Sequence, residues 1–214
     1  MAVTKAFKGW KAEAVEFFEG LEADNSKAYW QEHKADYERL VLKPMQDLVA
    51  DLAGEFGEGR IMRPYRDIRF SADKSPYKTN IAAEIGDVGY VSFSANGIGA
   101  GSGYWMMSND QLDRYRRAVV ADRTGGRLED VVAELRKKGH GVTSHDMLKT
   151  SPRGYPKEHP RLELLRMKGI AAWHEWPVAA WMGTAKAEER VVGFLRDAGV
   201  LRDWLDTHVG PPAG

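Results

Sequence analysis

The chain contains no cysteine, which excludes disulfides, thiolate-ligated metals and a cysteine nucleophile. It carries no net charge either, since 31 Lys and Arg balance 31 Asp and Glu. No global field therefore draws it to nucleic acid or to an anionic membrane. No apolar run approaches a bilayer-spanning length, and Met1–Trp10 lacks the apolar stretch of a signal peptide. The expectation is a cytoplasmic protein with no membrane partner. Against these absences, 214 residues with 43% apolar and 29% charged content are ample for a core and suit one domain.

Periodicity divides that domain, taken as residues 1–214, into three parts. Residues 7–56 read as helical. Ala14, Phe17, Phe18 and Leu21 mark one apolar face, and Asp24-Asn25-Ser26 offers a cap for a second helix. There Trp30, Tyr37, Leu40, Val41, Met45, Leu48 and Leu52 recur near the helical period, with Pro44 expected to kink the helix or start a new one. Residues 60–107 read as strands: 60–71, a turn near Ser75-Pro76, then 78–86, 90–95 and 98–107, with Asn96-Gly97 as a hairpin signal. Residues 109–207 return to helix at about 109–120, 127–138 and 188–205, and 139–160 reads as a long loop. Helices, a strand meander and helices again predict an α+β fold, an antiparallel sheet of about four or more strands with helices on one face.

The charges are unevenly spread. Residues 1–59 hold seven Lys or Arg against twelve Asp or Glu, whereas residues 60–80 hold six against two. On an extended segment through 63–71, Arg63, Tyr65, Asp67, Arg69 and Ser71 point one way and Pro64, Arg66, Ile68 and Phe70 the other. Ile68 and Phe70 mark the second face as the core side. Arginine suits phosphate or carboxylate because its planar fork donates two parallel hydrogen bonds. The candidate ligand-binding set is therefore Arg66, Arg69, Lys74, Tyr77 and Lys78, with Arg153 from a second basic block at 148–160. Asp67, Asp73 and His159 are the acid–base candidates, His159 because its reference pKa lies near neutrality. Two plainer readings stand beside these: an Arg–Asp ladder that pins the strand and its turn, and a His159 that only caps the helix beginning near Pro160.

Other chemistries find less support. The glycines at 97, 99, 101 and 103 lack the Lys-Ser/Thr ending of a phosphate loop and are expected to relieve crowding in a strand. His140, His145 and His159 lack zinc-site spacing, so no metal site is assigned, and no Gly-x-Ser-x-Gly elbow is present.

Three blocks resemble the family called domain of unknown function 2461, found in bacteria and fungi. The central one is Arg66-Asp67-Ile68-Arg69-Phe70-Ser71-x-Asp73-Lys74-Ser75-Pro76-Tyr77-Lys78-Thr79. Phe17-Phe18-x-x-Leu21 with Asn25-x-Lys27-x-Tyr29-Trp30 is similar to the family's N-terminal helix pair. Leu148-Lys149 through Ser151-Pro152-Arg153-Gly154-Tyr155 to His159-Pro160 is similar to its third block. The resemblance implies no particular reaction, cofactor or catalytic residue. The leading expectation is binding of a phosphate- or carboxylate-bearing ligand, with hydrolase or transferase chemistry open. A non-catalytic protein-interaction module is the alternative, and nucleic-acid binding is the weakest reading at zero net charge.

Overall fold

The computed structural model describes residues 6–69 and 72–213; Phe70 and Ser71, assigned above to opposite faces, lie outside the described residues. The fold is α+β. Strands β1 (Gly59–Ile61), β2 (Asn80–Ile85), β3 (Gly89–Ser94), β4 (Gly97–Tyr104), β5 (Gly141–Thr143) and β6 (Ile170–Trp176) form an antiparallel sheet in the order β1-β2-β3-β4-β6-β5. The chain divides into two compact units, one running up to Ala100 together with Glu175–Gly193, the other comprising Gly101–His174 together with Phe194 onward.

In the first unit, α1 (Ala12–Ala23) buries Ala14, Phe17, Phe18 and Leu21, as its spacing predicts. Ser26 caps α2 (Lys27–Asp36) by accepting from the Tyr29 amide at 3.1 Å. A π-helical segment, Tyr37–Leu42, then leads into α3 (Lys43–Phe56), where Pro44 sits in the first turn and needs no amide partner. Pro44 thus starts a helix rather than kinking one. Val91 and Phe93 of β3 are buried while Ser92 and Ser94 are half-exposed. Trp10 stacks flat on Phe93 at 4.7 Å, so the aromatic core lies on that face of the sheet. β2 and β3 pair from Asn80↔Ser94 to Ile85↔Gly89. The β3–β4 turn residues are Ala95-Asn96, one place earlier than the Asn96-Gly97 signal.

The expected strand 60–71 is shorter in fact. Regular pairing ends at Ile61↔Ala83, and the chain beyond continues extended with one bridge, Tyr65↔Tyr77. Arg66 N donates to Pro76 O and Lys78 N to Pro64 O, so the turn spans 67–75 and Pro76 belongs to the returning arm. Met62 N bonds Ala82 O, leaving two more residues on the returning arm than on the outgoing one between Met62 and Tyr65. That bulge breaks the ladder without breaking the alternation.

In the second unit, α4 (Asn109–Val120) matches its expected bounds, but α5 runs Asp122–Lys137 and starts earlier than 127. Gly125 explains this, for a Cβ there would lie 2.0 Å from the Val119 carbonyl oxygen. The glycine permits the close approach of the two helices instead of breaking the second. The expected loop 139–160 contains β5, which pairs with β6 through Gly141↔Trp173, Val142↔Ala172 and Thr143↔Ala171. The same register resumes at the bridge Met147↔Met167. β6, α6 (Leu162–Arg166) and a short 3-10 turn, Ala180–Gly183, carry no strong periodicity. Gly101 in β4 leaves room for the Trp173 ring, which a Cβ would meet at 2.7 Å, in keeping with glycines that relieve crowding. The closing helix α7 runs Lys186–His208. Among the described residues, no helix is long and apolar enough to cross a membrane.

Candidate functional site

The 62–78 hairpin is held at its base by α2 and the segment before it. Asn25 sits just ahead of the α2 cap and reads both backbone groups of Tyr77: its Oδ1 accepts from Tyr77 N at 3.0 Å and its Nδ2 donates to Tyr77 O at 3.2 Å. Tyr77 is buried, and Trp30 of α2 stacks on its ring at 4.3 Å with the planes 9° apart. Tyr37, first residue of the π-helical segment, packs on Trp30 at 4.9 Å. Burial, with the Tyr65 hydroxyl adding to it, pushes the Tyr37 phenol up to about 12. Tyr65 itself is 49% exposed and lies on the rim of this stack. Two of the sequence blocks therefore meet in space. The Asn25-x-Lys27-x-Tyr29-Trp30 block supplies the clamp and the ring on which the Arg66–Thr79 block is seated.

Beyond the base the charges turn outward. Arg63, Tyr65, Asp67 and Arg69 are exposed and Pro64, Arg66 and Ile68 half-buried, the alternation expected of the sequence. Arg69 donates through Nε at 2.9 Å and Nη2 at 2.6 Å to the two oxygens of Asp67, a side-on fork–carboxylate pair. Arg66 Nη1 donates to Asp73 Oδ2. Lys74 Nζ donates to the Ile68 carbonyl at 3.0 Å. Ser75 N donates to Asp73 Oδ1 at 2.9 Å, closing the turn.

These contacts set the acid–base character of the two aspartates. The Ser75 hydroxyl and amide, followed by Arg66, hold Asp73 far below the usual carboxylate range. The side chain and amide of Arg69 lower Asp67, with Arg63 adding a favourable charge. Both are ionised and weakly basic near neutrality, the opposite of a tuned general base.

The 148–160 block belongs to the second unit and is fastened by different means. Leu148 N bonds the Arg166 carbonyl at 2.8 Å, and Arg166 Nε returns a bond to the Leu148 carbonyl at 2.5 Å. Ser151 Oγ lies 2.9 Å from the Tyr155 carbonyl and 3.1 Å from that of Pro156. Gly154 has φ +86°, a left-handed conformation that glycine adopts without penalty. Arg153 is exposed. His159 Nδ1 accepts from Arg161 N at 3.0 Å, which closes the turn leading into α6 without capping a helical amide.

Of the candidates named from sequence, Arg66, Asp67, Arg69, Asp73, Lys74, Tyr77 and Lys78 share one hairpin in the first unit. Arg153 and His159 share a loop in the second. Asn25, absent from that candidate set, emerges as the residue that fixes the hairpin. Its signal was obscured because an Asp-Asn-Ser run before a helix reads as a cap, and here the cap is Ser26 alone. The first unit also has a shallow depression of about 270 Å³, lined by Ser92, Ser94, Asn96, Gly97, Ile98, Gly99 and Glu175, with no contribution from the hairpin.

The chain belongs to the family described as conserved hypothetical protein (DUF2461), whose family model matches residues 13–204. No curated protein matches the chain, and no solved structure matches it. The match takes in all three blocks and every candidate residue named above.

Proposed function

We propose that the chain is a non-catalytic interaction module of the cytoplasm, whose 62–78 hairpin docks an acidic segment of a protein partner. One observation carries the reading: the two arginines best suited to hold a small anion, half-buried Arg66 and exposed Arg69, are already engaged by carboxylates of their own hairpin. A small anion would have to displace Asp67 or Asp73 to reach those guanidinium groups. A partner surface need not, because the hairpin keeps an excess of positive charge. Its five Lys and Arg against two Asp leave +3 over residues 63–78. Arg63 and Lys74 are exposed on the same hairpin as Tyr65, a partly exposed ring of the kind favoured in interface cores.

A second reading, a bound phosphate- or carboxylate-bearing ligand, draws on the same excess charge, centred on Arg63, Lys74 and Lys78. Calorimetric titration with an eight-residue glutamate peptide separates the two. Wild-type protein is expected to bind it in a salt-sensitive way, and Arg63→Ala with Lys74→Ala to weaken binding at least fivefold with the Arg–Asp pairs intact. Absence of peptide binding, together with melting-temperature rises from nucleotides or phosphorylated metabolites that vanish in Arg69→Ala with Lys74→Ala, would overturn the docking reading.

A further inference from the structure

The second unit holds a chain of titratable groups, from buried His140 to half-exposed His174 and Asp197, that no hairpin function uses. His140 follows the C-terminus of α5, and its Nδ1 lies 3.0 Å from Nδ1 of His174 on β6. Its Nε2 lies 3.2 Å from Asp197 Oδ2 on α7. The ring is 8% exposed, with Phe194 packed edge-on at 5.1 Å. The two histidines stand one step beyond Gly141↔Trp173, the last backbone pair of the β5–β6 ladder. β5 is a three-residue strand at the sheet edge, and the histidine rung adds a side-chain contact to the three backbone pairs that fasten it there.

Proton counting constrains the rung. The Asp197 carboxylate only accepts, so His140 Nε2 carries a hydrogen. The two Nδ1 atoms at 3.0 Å hold one proton between them, since two facing N–H groups would clash. If that proton is on His140, His174 is neutral; if it is on His174, His140 is neutral. The closed pair therefore carries at most one positive charge, whereas separated histidines, each with a reference pKa near 6.5, carry two in acid. Asp197 from α7 meets His140, and Lys138 from α5 meets both that aspartate and Glu134. Lys138 Nζ sits 2.7 Å from Asp197 Oδ1 and 3.4 Å from Glu134. The aspartate is shared between Lys138 and His140 and cannot neutralise a second imidazolium.

We propose that the His140–His174 pair is an acid-sensitive latch, which holds β5 on β6 near neutral pH and releases it locally in acid. The open form binds one more proton than the closed form, so the closed-to-open ratio falls by up to about tenfold per pH unit below about 6.5. The opening is confined to residues 140–143, because the bonds of Asp146 and Leu148 to Lys168 and Arg166 hold the far end of the ladder. Nothing in this inference rests on the docking reading.

Hydrogen exchange between pH 6 and 5, corrected for intrinsic rates, tests it. Protection of the 141–143 and 171–173 amides is expected to fall several-fold, while amides of α3 keep theirs and so report that the fold is intact. His174→Gln removes the second charge and is expected to flatten the response. Nitrogen-15 titration of wild-type imidazoles provides a readout independent of any variant: the pair should take up its two protons in two separated steps. Both rings titrating together near 6.5, or β5 protection unchanged across this range, would overturn the latch.

Discussion

The two basic blocks, the 62–78 hairpin and the 148–160 loop, look alike as strings of Arg, Lys, Tyr and Pro, yet they are built differently. The hairpin is seated on another part of the chain. Asn25 reads its backbone, Trp30 stacks on Tyr77, and the arginines beyond are paired with the hairpin's own aspartates. The loop is fastened mainly by local bonds, through Ser151, a left-handed glycine and a histidine that closes the turn before the next helix. In both, neutral and backbone groups do the anchoring while most of the cationic ends face solvent. A basic block is therefore informative about function only after its anchors are subtracted. What remains on the hairpin is a rigid base with a charged, partly aromatic rim. What remains on the loop is the exposed Arg153 and neighbouring lysine.

That difference can be broken at its strongest point first. Trp30→Ala removes a side chain that is 2% exposed and takes away the seat of Tyr77. A loss of about 3–5 kcal/mol is expected in urea denaturation. Asn25→Ala strands the amide and carbonyl of Tyr77 and should cost roughly 1–3 kcal/mol, against about 0.5–1.5 kcal/mol for Ser151→Ala in the loop. Equal losses in the last two variants would erase the distinction between a hairpin seated elsewhere and a self-fastened loop.

The smallest effect concerns pH. Asp67 and Asp73 have folded-state pKa values depressed by their partners. Their contribution is fully present above the unfolded carboxylate value, near 3.9, and is lost only as pH falls through the lower folded values. The carboxyl carbon-13 shifts of both should stay flat from pH 7 to 5. Titration of either near neutrality would restore it as a candidate base.

Much of this was legible in the sequence, and the failures have identifiable causes. The apolar spacing of Phe17, Phe18 and Leu21, and of Leu128, Val131, Val132 and Leu135, marks positions that are buried in the fold. The in–out alternation at 63–69 survives although regular pairing stops at Ile61, because alternation follows from an extended backbone and not from a ladder. β5 and β6 escaped notice since one is three residues long in a Gly- and Ser-rich stretch and the other, Ile-Ala-Ala-Trp-His-Glu-Trp, does not alternate. Helix α5 begins before the 127 suggested by spacing, and Gly125 lies inside it, close against the Val119 carbonyl. Whether Arg69 waits for a ligand or already has one is a matter of side-chain geometry, which spacing alone does not encode.

The central claim is that Arg66 and Arg69 are braced from within the hairpin and that Arg63 and the rest of its rim are left for a partner. The most direct measurement follows the Arg69 Nε–H resonance while labelled protein is titrated first with inorganic phosphate and then with the glutamate peptide. The account predicts that phosphate leaves this signal in place and that the peptide shifts Arg63, Tyr65 and Lys74 while Arg69 stays on Asp67. A saturable move of the Arg69 signal with phosphate would contradict it, because the carboxylate would then be only a placeholder for an anion.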